Sequence, residues 1–410
     1  MDEFFRVVSI ADVLALAKTF PGPGRAEVDL ASALGRILAA DAAAPEDLPA
    51  FSRSTMDGYA LAASSTFGAS ASSPALLEVA GSVPMGAAPG FSLAPGQAAA
   101  IPTGGMLPAG ADAVVMVEHT EKVDEALVEV YKSVAPGDNV LTAGEDAAKG
   151  STVLSAGTRL RAQELALLAA LGITRVTVAK PLVAGILSTG DEVVPAEETP
   201  GPGKIRDMNA HALAAQCRAA GIEPLALGIV PDDEEALHAA CRQALPRCDT
   251  LLVSGGSSVG ARDYTVSALT RFSGAEILVH GVAISPGKPT ILARVQDKPV
   301  WGLPGHVTSS MVVFHALVRP FSLALAGFSE KAAREFPVAC RLAKNVAAAA
   351  GRVDFVRVAL SWKDGELWAT PIPGKSGEIR TMVAADALVP VDENTEGLDA
   401  GTLVHALPLS

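Results

Sequence analysis

A glycine-rich loop followed by a carboxylate is the part of this chain best suited to hold a charged ligand. The apolar run 251–254 leads into Gly255, and Asp263 follows where a new helix could begin. Glycine lets the backbone turn tightly and brings N–H groups close to an anion, so the segment predicts a phosphate-binding loop at the end of a strand. An ordinary strand-to-helix turn uses the same residue types and is the alternative. The candidate binding residues of the loop are Gly255, Gly256, Ser257, Ser258 and Gly260.

Two further loops follow apolar runs and carry polar groups. Lys288 lies in Ser285-Pro-Gly-Lys-Pro, where two prolines stiffen the turn, and Pro304 and His306 belong to the loop Gly-Leu-Pro-Gly-His. Three such loops in one α/β segment predict a single rim. A proline stands where a P-loop has serine or threonine, and no G-x-G-x-x-G is present, which disfavours an ordinary kinase, GTPase or Rossmann dehydrogenase.

Acidic side chains stand close to glycine in three other loops. Asp57 precedes a glycine in Ser-Thr-Met-Asp-Gly-Tyr, Asp146 ends Gly-Glu-Asp, and Glu192 ends Ser-Thr-Gly-Asp-Glu. Each acid also fits a plain turn or cap role, because Asp and Gly favour turns for backbone reasons alone. Together with Asp263 and Lys288 they offer oxygen ligands for Mg²⁺ and a cation for phosphate, which is the combination that phosphoryl chemistry uses.

The composition indicates a soluble protein of several domains. The chain has 410 residues, of which 49% are hydrophobic and 19% charged, and single cores stop growing well below this length. No uncharged apolar run is long enough to span a membrane, and the acidic N-terminus lacks the basic region of a signal peptide, so we expect a cytoplasmic protein without a membrane partner. The net charge of −13 argues against a nucleic-acid partner. Four cysteines without metal-ligand spacing are expected to be reduced structural thiols.

The first part of the chain predicts two domains, one of them discontinuous. Helical patterns at about 9–20, 28–39 and 161–170 assign residues 1–54 and 145–180 to one mostly helical linking domain. Between these two segments, residues 55–144 consist of short Val, Ala and Leu runs cut by Gly, Pro and Ser. This texture predicts a small inserted β domain.

The remainder predicts an α/β domain over 181–327 and a small C-terminal β-barrel over 328–410. Alternating strands and helices predict a doubly wound parallel sheet that binds ligands at the carboxyl ends of its strands. The alternating runs after residue 335 are typical of a barrel. The predicted strands are 182–187, 224–230 and 249–254, and the predicted helices are 208–220, 232–245 and 306–326.

Seven motifs, taken in order, resemble the MoeA family, the molybdopterin molybdotransferases, and the related E domain of gephyrin. The resemblance runs essentially from end to end. The motifs are Ser-Thr-Met-Asp-Gly-Tyr-Ala, Pro-Thr-Gly-Gly-Met-Leu-Pro-Ala-Gly-Ala-Asp, Gly-Glu-Asp, Ser-Thr-Gly-Asp-Glu, Ser-Gly-Gly-Ser-Ser-Val-Gly, Pro-Gly-Lys-Pro and Gly-Leu-Pro-Gly.

The resemblance implies an elongated homodimer of four domains, the third similar in fold to the molybdopterin adenylyltransferase. The active cleft is then expected between the third domain of one subunit and the first and second domains of its partner. It further implies a transferase of molybdenum cofactor biosynthesis. Such an enzyme takes adenylylated molybdopterin, inserts molybdenum from molybdate and releases AMP in a Mg²⁺-dependent step, and contact with the molybdopterin adenylyltransferase is a further implied interaction.

Carried over by motif, the resemblance implies catalytic roles for Asp57, Asp263 and Lys288, and Mg²⁺ ligation by Asp57, Glu192 and Asp263. A turn-stabilising role is the alternative for the hydroxyls of Thr103 and Ser376. Outside the glycine-rich loop, the implied substrate-binding residues are Thr103, Asp146, Glu192, Ser285, Pro304, His306, Arg352 and Ser376.

Three positions on the predicted rim depart from the family pattern. Ser285 stands where the family commonly has lysine, Ser257 where valine is usual, and His306-Val-Thr-Ser replaces Asn-Pro-Val-Ser. Two alternatives to the molybdate enzyme therefore stay open. One is a tungstate-selective insertase, and the other is a non-catalytic relative that binds the pterin or acts as a scaffold. The retained Asp57, Asp263 and Lys288 favour the enzyme.

Overall fold

The computed structural model describes residues 7–255, 259–333 and 336–409. They form two compact units. The β unit comprises residues 40–155 and 161–175, and the larger α/β–barrel unit comprises the residues before 40, residues 156–160 and those from 176 onward. The β unit thus contains the predicted inserted domain together with parts of the predicted linking domain.

A six-stranded sheet forms the centre of the β unit. Its order is Ala113–Met116, Gly58–Leu61, Gln97–Ile101, Ala75–Ser82, Leu127–Val130 and Thr120–Lys122. All neighbours are antiparallel except Ala75–Ser82 with Gln97–Ile101. Small aliphatic side chains such as Ala98, Val115 and Val128 are fully buried in one cluster on this sheet.

Short elements complete the β unit. The helix Ala162–Ala170 begins with a capping box in which the Glu164 carboxylate accepts from the Arg161 backbone N–H, at 2.9 Å. The other elements are the strand pairs Ala42–Ala43 with Thr152–Leu154 and Arg53–Ser54 with Val140–Leu141, and the 3₁₀ turns Ala63–Thr66 and Val117–His119.

The α/β–barrel unit contains a six-stranded sheet, named here the central sheet. Its order is Glu223–Val230, Val183–Thr189, Thr250–Gly255, Lys298–Leu303, Ile291–Val295 and Glu276–His280. The first four strands are parallel, as predicted, but the last two are antiparallel to their neighbours. The prediction of a wholly parallel sheet is therefore wrong. Gln296 and Asp297, both at positive φ, form a two-residue hairpin turn that reverses the chain.

Helices cover both faces of the central sheet, as a doubly wound fold requires. Successive residues of one strand point to opposite faces, so Ile186 belongs to one buried cluster and Leu187 to the other. The helices Asn209–Ala219 and Val307–Leu325 pack on the first cluster, and Glu234–Ala244 and Val259–Thr270 border the second. The predicted strands and helices of this domain are confirmed to within about two residues.

The helix Val307–Leu325 is the longest apolar helix of the described residues. It meets a length and composition test for a membrane span, but 67% of the tested window is buried inside the protein. The ring centroids of Phe321 and Trp301 lie 5.1 Å apart in a T-shaped arrangement, which fixes the helix on the central sheet. The helix consists of Val307–Val313, a π-helical turn at Phe314–Val318, and Arg319–Leu325.

Five strands at the C-terminus close into a barrel, as predicted. The order is Val353–Lys363, Glu366–Pro371, Val338–Leu342, Leu403–Pro408 and Ala387–Val391, and the last strand pairs again with the first. Closure leaves the buried side chains of Cys340, Val358 and Val389 inside. The barrel also carries the helix Ile379–Val383 and the short pair Val346–Ala347 with Gly397–Leu398.

The prediction of a mostly helical linking domain is wrong. The helix Ile10–Ala15 continues as the 3₁₀ turn Leu16–Thr19, close to the prediction, but the predicted helix at 28–39 does not form. The segment instead begins with the end of the strand Arg25–Asp29, which pairs with Arg175–Ala179, and continues with the short turn Leu30–Ser32 and single bridges at Ile37 and Leu38. The strand has a period-two burial pattern, so pairing across the sheet overrides an apolar spacing that also suits a helix.

All four cysteines are free and buried, which confirms the prediction of reduced structural thiols. Burial in apolar surroundings raises the pKa of Cys217 and of Cys241 to about 12. These thiols therefore have little thiolate at neutral pH and serve as small core side chains.

Candidate functional site

A cavity of about 310 Å³ lies where the carboxyl edge of the central sheet meets the barrel, both within the α/β–barrel unit. The strands Thr250–Gly255 and Lys298–Leu303 end at this edge, so the loops that follow them reach the cavity. The structure brings seven of the predicted site residues to its lining, namely Gly255, Ser285, Lys288, Pro304, His306, Arg352 and Ser376. We refer to this space as the rim cavity.

The segment that carries Lys288 is held by both the barrel and the central helix. Ser285 pairs with Asp354 of the barrel strand Val353–Lys363. Gly287 has a φ of +123°, and a Cβ there would lie 2.3 Å from a Val313 methyl group, so only glycine fits. The Thr290 hydroxyl donates to the Gly287 carbonyl at 2.7 Å. The turn is therefore rigid, while the Lys288 side chain remains exposed at the cavity.

Arg352 brings a second cation to the rim cavity from the barrel. Its Nε atom lies 3.1 Å from Asp354 Oδ1, and the other oxygen of Asp354 accepts from the Ala349 N–H at 2.9 Å. This ion pair holds the guanidinium in place. The Arg352 Nε–H is buried and has no aligned acceptor among the described residues, so its contact with Asp354 is electrostatic and the donor is left for a further partner.

A hydrogen bond joins the α/β domain to the barrel at the mouth of the cavity. The Ser376 hydroxyl and His306 Nδ1 lie 3.0 Å apart. The Ser376 carbonyl also accepts from the Thr308 N–H at 3.2 Å, in the first turn of the helix that begins at Val307. His306 is the N-cap residue of that helix. The predicted site residues His306 and Ser376 therefore position each other.

A smaller cavity of about 190 Å³ continues along the same edge and contains residues that the sequence analysis missed. It shares Gly255 and His306 with the rim cavity and is also lined by the predicted Glu192, which is exposed. The missed residues are Asp207, which is 8% exposed, and Asn209. The sequence signal was weak, because both resemble ordinary residues at the start of the helix Asn209–Ala219.

Asn209 has one polar atom that no described group satisfies. Its Nδ2 donates to the Gly305 carbonyl at 2.8 Å, which fixes the side chain beside the rim. Its Oδ1 is buried without a hydrogen-bond partner among the described residues. A buried orphan acceptor at the edge of a cavity is a group that a ligand or an ordered water satisfies.

The loop after Val230 is longer than predicted, because the helix predicted from residue 232 begins at Glu234. Asp233, not Asp232, caps the helix Glu234–Ala244, because its carboxylate accepts from the Ala236 N–H at 2.8 Å. Asp232 accepts instead from the Thr189 hydroxyl at 2.5 Å. Asp232 therefore lies at the carboxyl edge of the central sheet.

Asp57 and Thr103 meet in the β unit. Asp57 Oδ1 accepts from the Thr103 N–H at 2.6 Å and from the Thr103 hydroxyl at 2.8 Å. These two bonds hold the pKa of the exposed Asp57 carboxyl below its usual value, the backbone bond being the larger cause. A Cβ on the following Gly58 would lie 1.9 Å from the Val115 carbonyl oxygen, which explains the glycine. Asp57 is thus a preoriented, ionised carboxylate.

Asp146 lies on an exposed loop of the same unit, and its backbone N–H donates to the Leu48 carbonyl at 3.0 Å. Its neighbour Glu145 caps the turn, because its carboxylate accepts from the Thr142 N–H at 2.8 Å. The described contacts of Asp146 are those of a turn residue.

Part of the predicted site lies outside the described residues. This applies to Gly256, Ser257 and Ser258. Gly260 and Asp263 fall within the helix Val259–Thr270, whose backbone is described, but the side chain of Asp263 is not. A helix therefore does follow the glycine-rich loop, as predicted.

A Mg²⁺ ion needs oxygen ligands, which the carboxylates of the chain can provide. Among the described side chains, no three His, Cys, Asp or Glu residues cluster as a metal site. Mg²⁺ is nevertheless commonly held by one or two carboxylates together with substrate phosphates and water. Both hydrogen bonds to Asp57 use Oδ1, so Oδ2 remains as an oxygen ligand. The residues present fit this mode of binding.

The fold and the rim cavity define an α/β protein with a cation-lined cavity at the carboxyl edge of its sheet, the edge at which open α/β sheets bind ligands. Comparison with known proteins identifies the family. Residues 8–172 match the MoeA N-terminal region (domain I and II), residues 185–324 match a probable molybdopterin binding domain, and residues 339–409 match the MoeA C-terminal region (domain IV).

Relatives resemble the chain over most of its length. The molybdopterin molybdenumtransferase of Bacillus subtilis is 35% identical over 93% of this chain and 89% of its own. The enzyme of the same name from a Nostoc species is 38% identical over 74% of this chain and 70% of its own. A solved molybdopterin biosynthesis MoeA protein from Pyrococcus horikoshii is 30% identical, covers 98% of this chain and 100% of its own, and superposes with a TM-score of 0.82. The chain belongs to the MoeA family, which is a family of transferases.

Proposed function

We propose that this protein is a molybdopterin molybdotransferase of molybdenum cofactor biosynthesis. It takes adenylylated molybdopterin and molybdate, inserts molybdenum into the pterin dithiolene, and releases AMP in a Mg²⁺-dependent step. The observation that carries the proposal is the rim cavity, in which two cations from different domains face one space beside a glycine-rich loop. The names of the curated relatives support the same activity.

The two cations of the rim cavity account for binding of an anionic substrate. Lys288 provides an exposed ammonium group on a rigid turn, and Arg352 provides a planar guanidinium with a buried Nε–H donor that lacks an aligned acceptor. Preorganised cations of this kind stabilise negative charge that develops on phosphate or molybdate oxygens. Lys288 therefore binds and stabilises charge, and Arg352 orients the anion.

His306, Ser376 and Asn209 orient neutral parts of the substrate. The 3.0 Å bond between His306 Nδ1 and the Ser376 hydroxyl fixes both side chains at the mouth of the cavity. The buried Oδ1 of Asn209 accepts from a substrate N–H or hydroxyl. The pterin ring carries several such donors, so these residues suit its recognition.

The carboxylates complete the proposed site. Asp57 remains ionised at neutral pH because of its two bonds from Thr103. Asp57, Glu192 and Asp263 are the residues proposed to hold Mg²⁺. When bound, Mg²⁺ supplies charge neutralisation on the phosphate oxygens and polarises the phosphorus centre.

Two features of the assembly belong to the proposal. The chain is expected to act as a homodimer, and to receive its substrate through contact with the molybdopterin adenylyltransferase. Light scattering that found a monomer at micromolar concentration would contradict the dimer. Copurification of this protein with the molybdopterin adenylyltransferase tests the contact between them.

One assay tests the activity and its alternatives. The purified protein is incubated with adenylylated molybdopterin, Mg²⁺ and either molybdate or tungstate, and AMP release and retained metal are followed. We expect stoichiometric AMP release and molybdenum retention. Because Ser285 lines the cavity where the family commonly has lysine, tungstate is the second candidate substrate. Binding of the pterin without AMP release with either oxyanion would instead identify a non-catalytic binding protein.

A further inference from the structure

We infer that the α/β–barrel unit has a second anion site, at the edge of the central sheet opposite to the rim cavity, and that this site binds a phosphate group. The inference does not depend on the proposed function. It rests on a separate cavity of about 170 Å³ that is lined by four basic side chains from distant parts of the chain. We refer to this space as the basic pocket.

The basic pocket lies at the amino ends of the parallel strands. Leu182 and Ile222 line it, and they directly precede the strands Val183–Thr189 and Glu223–Val230. The rim cavity lies at the carboxyl ends of the sheet. The strand Val183–Thr189 has 7 residues, and at about 3.3 Å per residue the two edges are roughly 20 Å apart. The basic pocket is therefore a distinct site.

The charge of the basic pocket is unlike that of the rest of the chain. Its lining contains the cations Arg36, Arg159, Lys180 and Arg319, and none of its described lining residues is an Asp or Glu. The whole chain has 45 acidic and 32 basic residues. The like charges of Arg36, Arg159 and Lys180 around one small cavity repel one another, and a multivalent anion relieves that repulsion.

The nearest acids along the chain do not line the pocket. Glu223 follows the lining residue Ile222 and Glu330 precedes Ala332, but both side chains are exposed and lie outside the lining. The charged side chains of the described lining are accordingly all basic. This makes an anion the fitting ligand.

Backbone pairing places three of the four cations, Arg36, Arg159 and Lys180, before any ligand arrives. Ile37 and Arg159 form an antiparallel bridge, and the Leu160 N–H donates to the Arg36 carbonyl at 2.9 Å. The half-buried Arg36 guanidinium donates to the Ala179 carbonyl at 2.9 Å, which orients it. The Lys180 N–H donates to the Gly24 carbonyl at 2.7 Å. A preorganised set of this kind binds a small ligand at low entropic cost.

The donor types and the remaining lining indicate the class of ligand. Planar guanidinium groups match the oxygens of phosphate, and several of them favour a dianion over a chloride. Apolar side chains of Leu182, Ile222 and Phe328 complete the wall, so a small organic group attached to the phosphate is accommodated. Free phosphate and the phosphate of a nucleotide share this chemistry. Inorganic phosphate, pyrophosphate and AMP are therefore the three probes.

The same cations could instead stabilise the structure, and melting temperatures distinguish this role from phosphate binding. The helix Asn209–Ala219 ends at the pocket, and positive side chains stabilise the carbonyl end of a helix. Substitution would then lower the melting temperature with or without phosphate. A binding role predicts a change only in the stabilisation that phosphate adds.

The test measures phosphate binding by isothermal titration calorimetry at constant ionic strength, together with the phosphate-dependent shift in melting temperature. The double variant Arg159→Gln/Lys180→Gln removes two exposed cations of the basic pocket. Arg242→Gln is the matched control, on an exposed helix face outside both cavities. Lys288→Ala removes a cation from the rim cavity. The same titrations with pyrophosphate and AMP identify the preferred source of the phosphate group.

We expect saturable binding in the parent, in Arg242→Gln and in Lys288→Ala, and at least tenfold weaker binding in the double variant. Binding that is lost in Lys288→Ala but kept in the double variant would place the anion in the rim cavity and overturn the inference. Absence of saturable binding for all three probes would overturn it too. An equal loss of melting temperature with and without phosphate would assign the cations to the helix end.

A second measurement on the unaltered protein covers the case in which the double variant does not fold. The Lys180 amine is exposed and reacts with an acylating reagent, and mass spectrometry gives its rate of modification. Phosphate is expected to slow modification of Lys180 several-fold and to leave the exposed Lys363 unaffected. Equal protection of both amines, or of neither, would contradict binding at the basic pocket.

Discussion

The Asp57 loop of the β unit and the rim cavity of the α/β–barrel unit present charges of opposite sign, and different contacts orient these charges. Asp57 is exposed, carries a negative charge and receives two hydrogen bonds from one residue, Thr103. The rim cavity is positive, and its cations Lys288 and Arg352 come from different domains. The carboxylate is oriented locally, whereas the cations are oriented by the packing of the barrel against the α/β domain.

The difference indicates how each part tolerates change. The orientation of Asp57 depends on one loop, so a conservative substitution there changes the charge of the site without disturbing the fold. The rim cavity is formed by two domains, so its geometry depends on contacts between them such as the His306–Ser376 hydrogen bond. Substitutions in the rim cavity can therefore change geometry as well as charge. Four predictions separate these effects.

The largest effect is expected from removing charge at the proposed catalytic residues. Asp57→Asn keeps an oxygen that can accept both bonds from Thr103 but removes the negative charge. Asp263→Asn makes the equivalent change in the helix Val259–Thr270. We expect AMP release to fall by roughly a hundredfold or more in either variant and in Lys288→Ala. Melting temperatures should stay close to that of the parent. Normal AMP release and metal insertion in the two Asn variants would assign these acids to turns.

Restoring a cation to the rim cavity should have the next largest effect. Ser285→Lys adds a positive charge at a half-buried position of the lining. A charge-assisted contact contributes about 1.5–3 kcal/mol when desolvated, so oxyanion binding should tighten by about tenfold or change its preference between molybdate and tungstate. Titration with both oxyanions measures this. Gln243→Lys, on an exposed helix position, controls for net charge. If Ser285→Lys and Gln243→Lys bind both oxyanions equally well, the residue at position 285 does not affect oxyanion binding.

A smaller effect is expected from Thr103→Val, which removes one of the two bonds to Asp57 and keeps the backbone bond. The pKa of Asp57 should rise toward the ordinary value of 3.8, as carbon NMR of the carboxylate can measure. Because the folded-state pKa is lowered, the bond contributes to stability above the unfolded pKa and is lost as the pH falls through the folded pKa. Activity should fall about fivefold, in line with one hydrogen bond. Thr103→Ser should restore both readouts, and an unchanged pKa in the valine variant would contradict this account.

The smallest effect is expected at the bond between domains. Ser376→Ala removes the partner of His306 Nδ1, but the Ser376 carbonyl still accepts from the Thr308 N–H. The loop should therefore stay in place, and KM for the pterin substrate should rise about threefold with little change in kcat. His306→Asn should have a larger effect than His405→Asn, a change of an exposed barrel histidine. Identical kinetics in all three variants would exclude a role for this bond.

The sequence predicts the rim well because its features are local. Recognisable Gly and Pro turns mark the loops that reach this edge, so the sequence alone assigns Gly255, Lys288 and Pro304 to one rim. Asp207 and Asn209 were missed because they resemble helix-start residues, and only their burial beside the cavity distinguishes them.

Features that depend on pairing between distant segments were not predictable from pattern alone. The segment 28–39 has apolar residues at a spacing that suits a helix, yet strand pairing with Arg175–Ala179 decides the local structure. The hairpin at Gln296 and Asp297 lacks the glycine or asparagine that usually marks such a turn. The basic pocket has no motif, because Arg36, Arg159 and Arg319 come from three separate segments.

The π-helical turn Phe314–Val318 sets the rotational phase between the two ends of the helix Val307–Leu325. His306 lies at one end, beside the rim cavity, and Arg319 lies beyond the turn, at the basic pocket. A π turn is equivalent to one extra residue in an α-helix, and each residue rotates the helix by about 100°. Deleting a single residue from this turn would therefore swing Arg319 out of its pocket while leaving His306 in place. The π turn thus sets the rotation that lets the two ends of this helix face two different cavities.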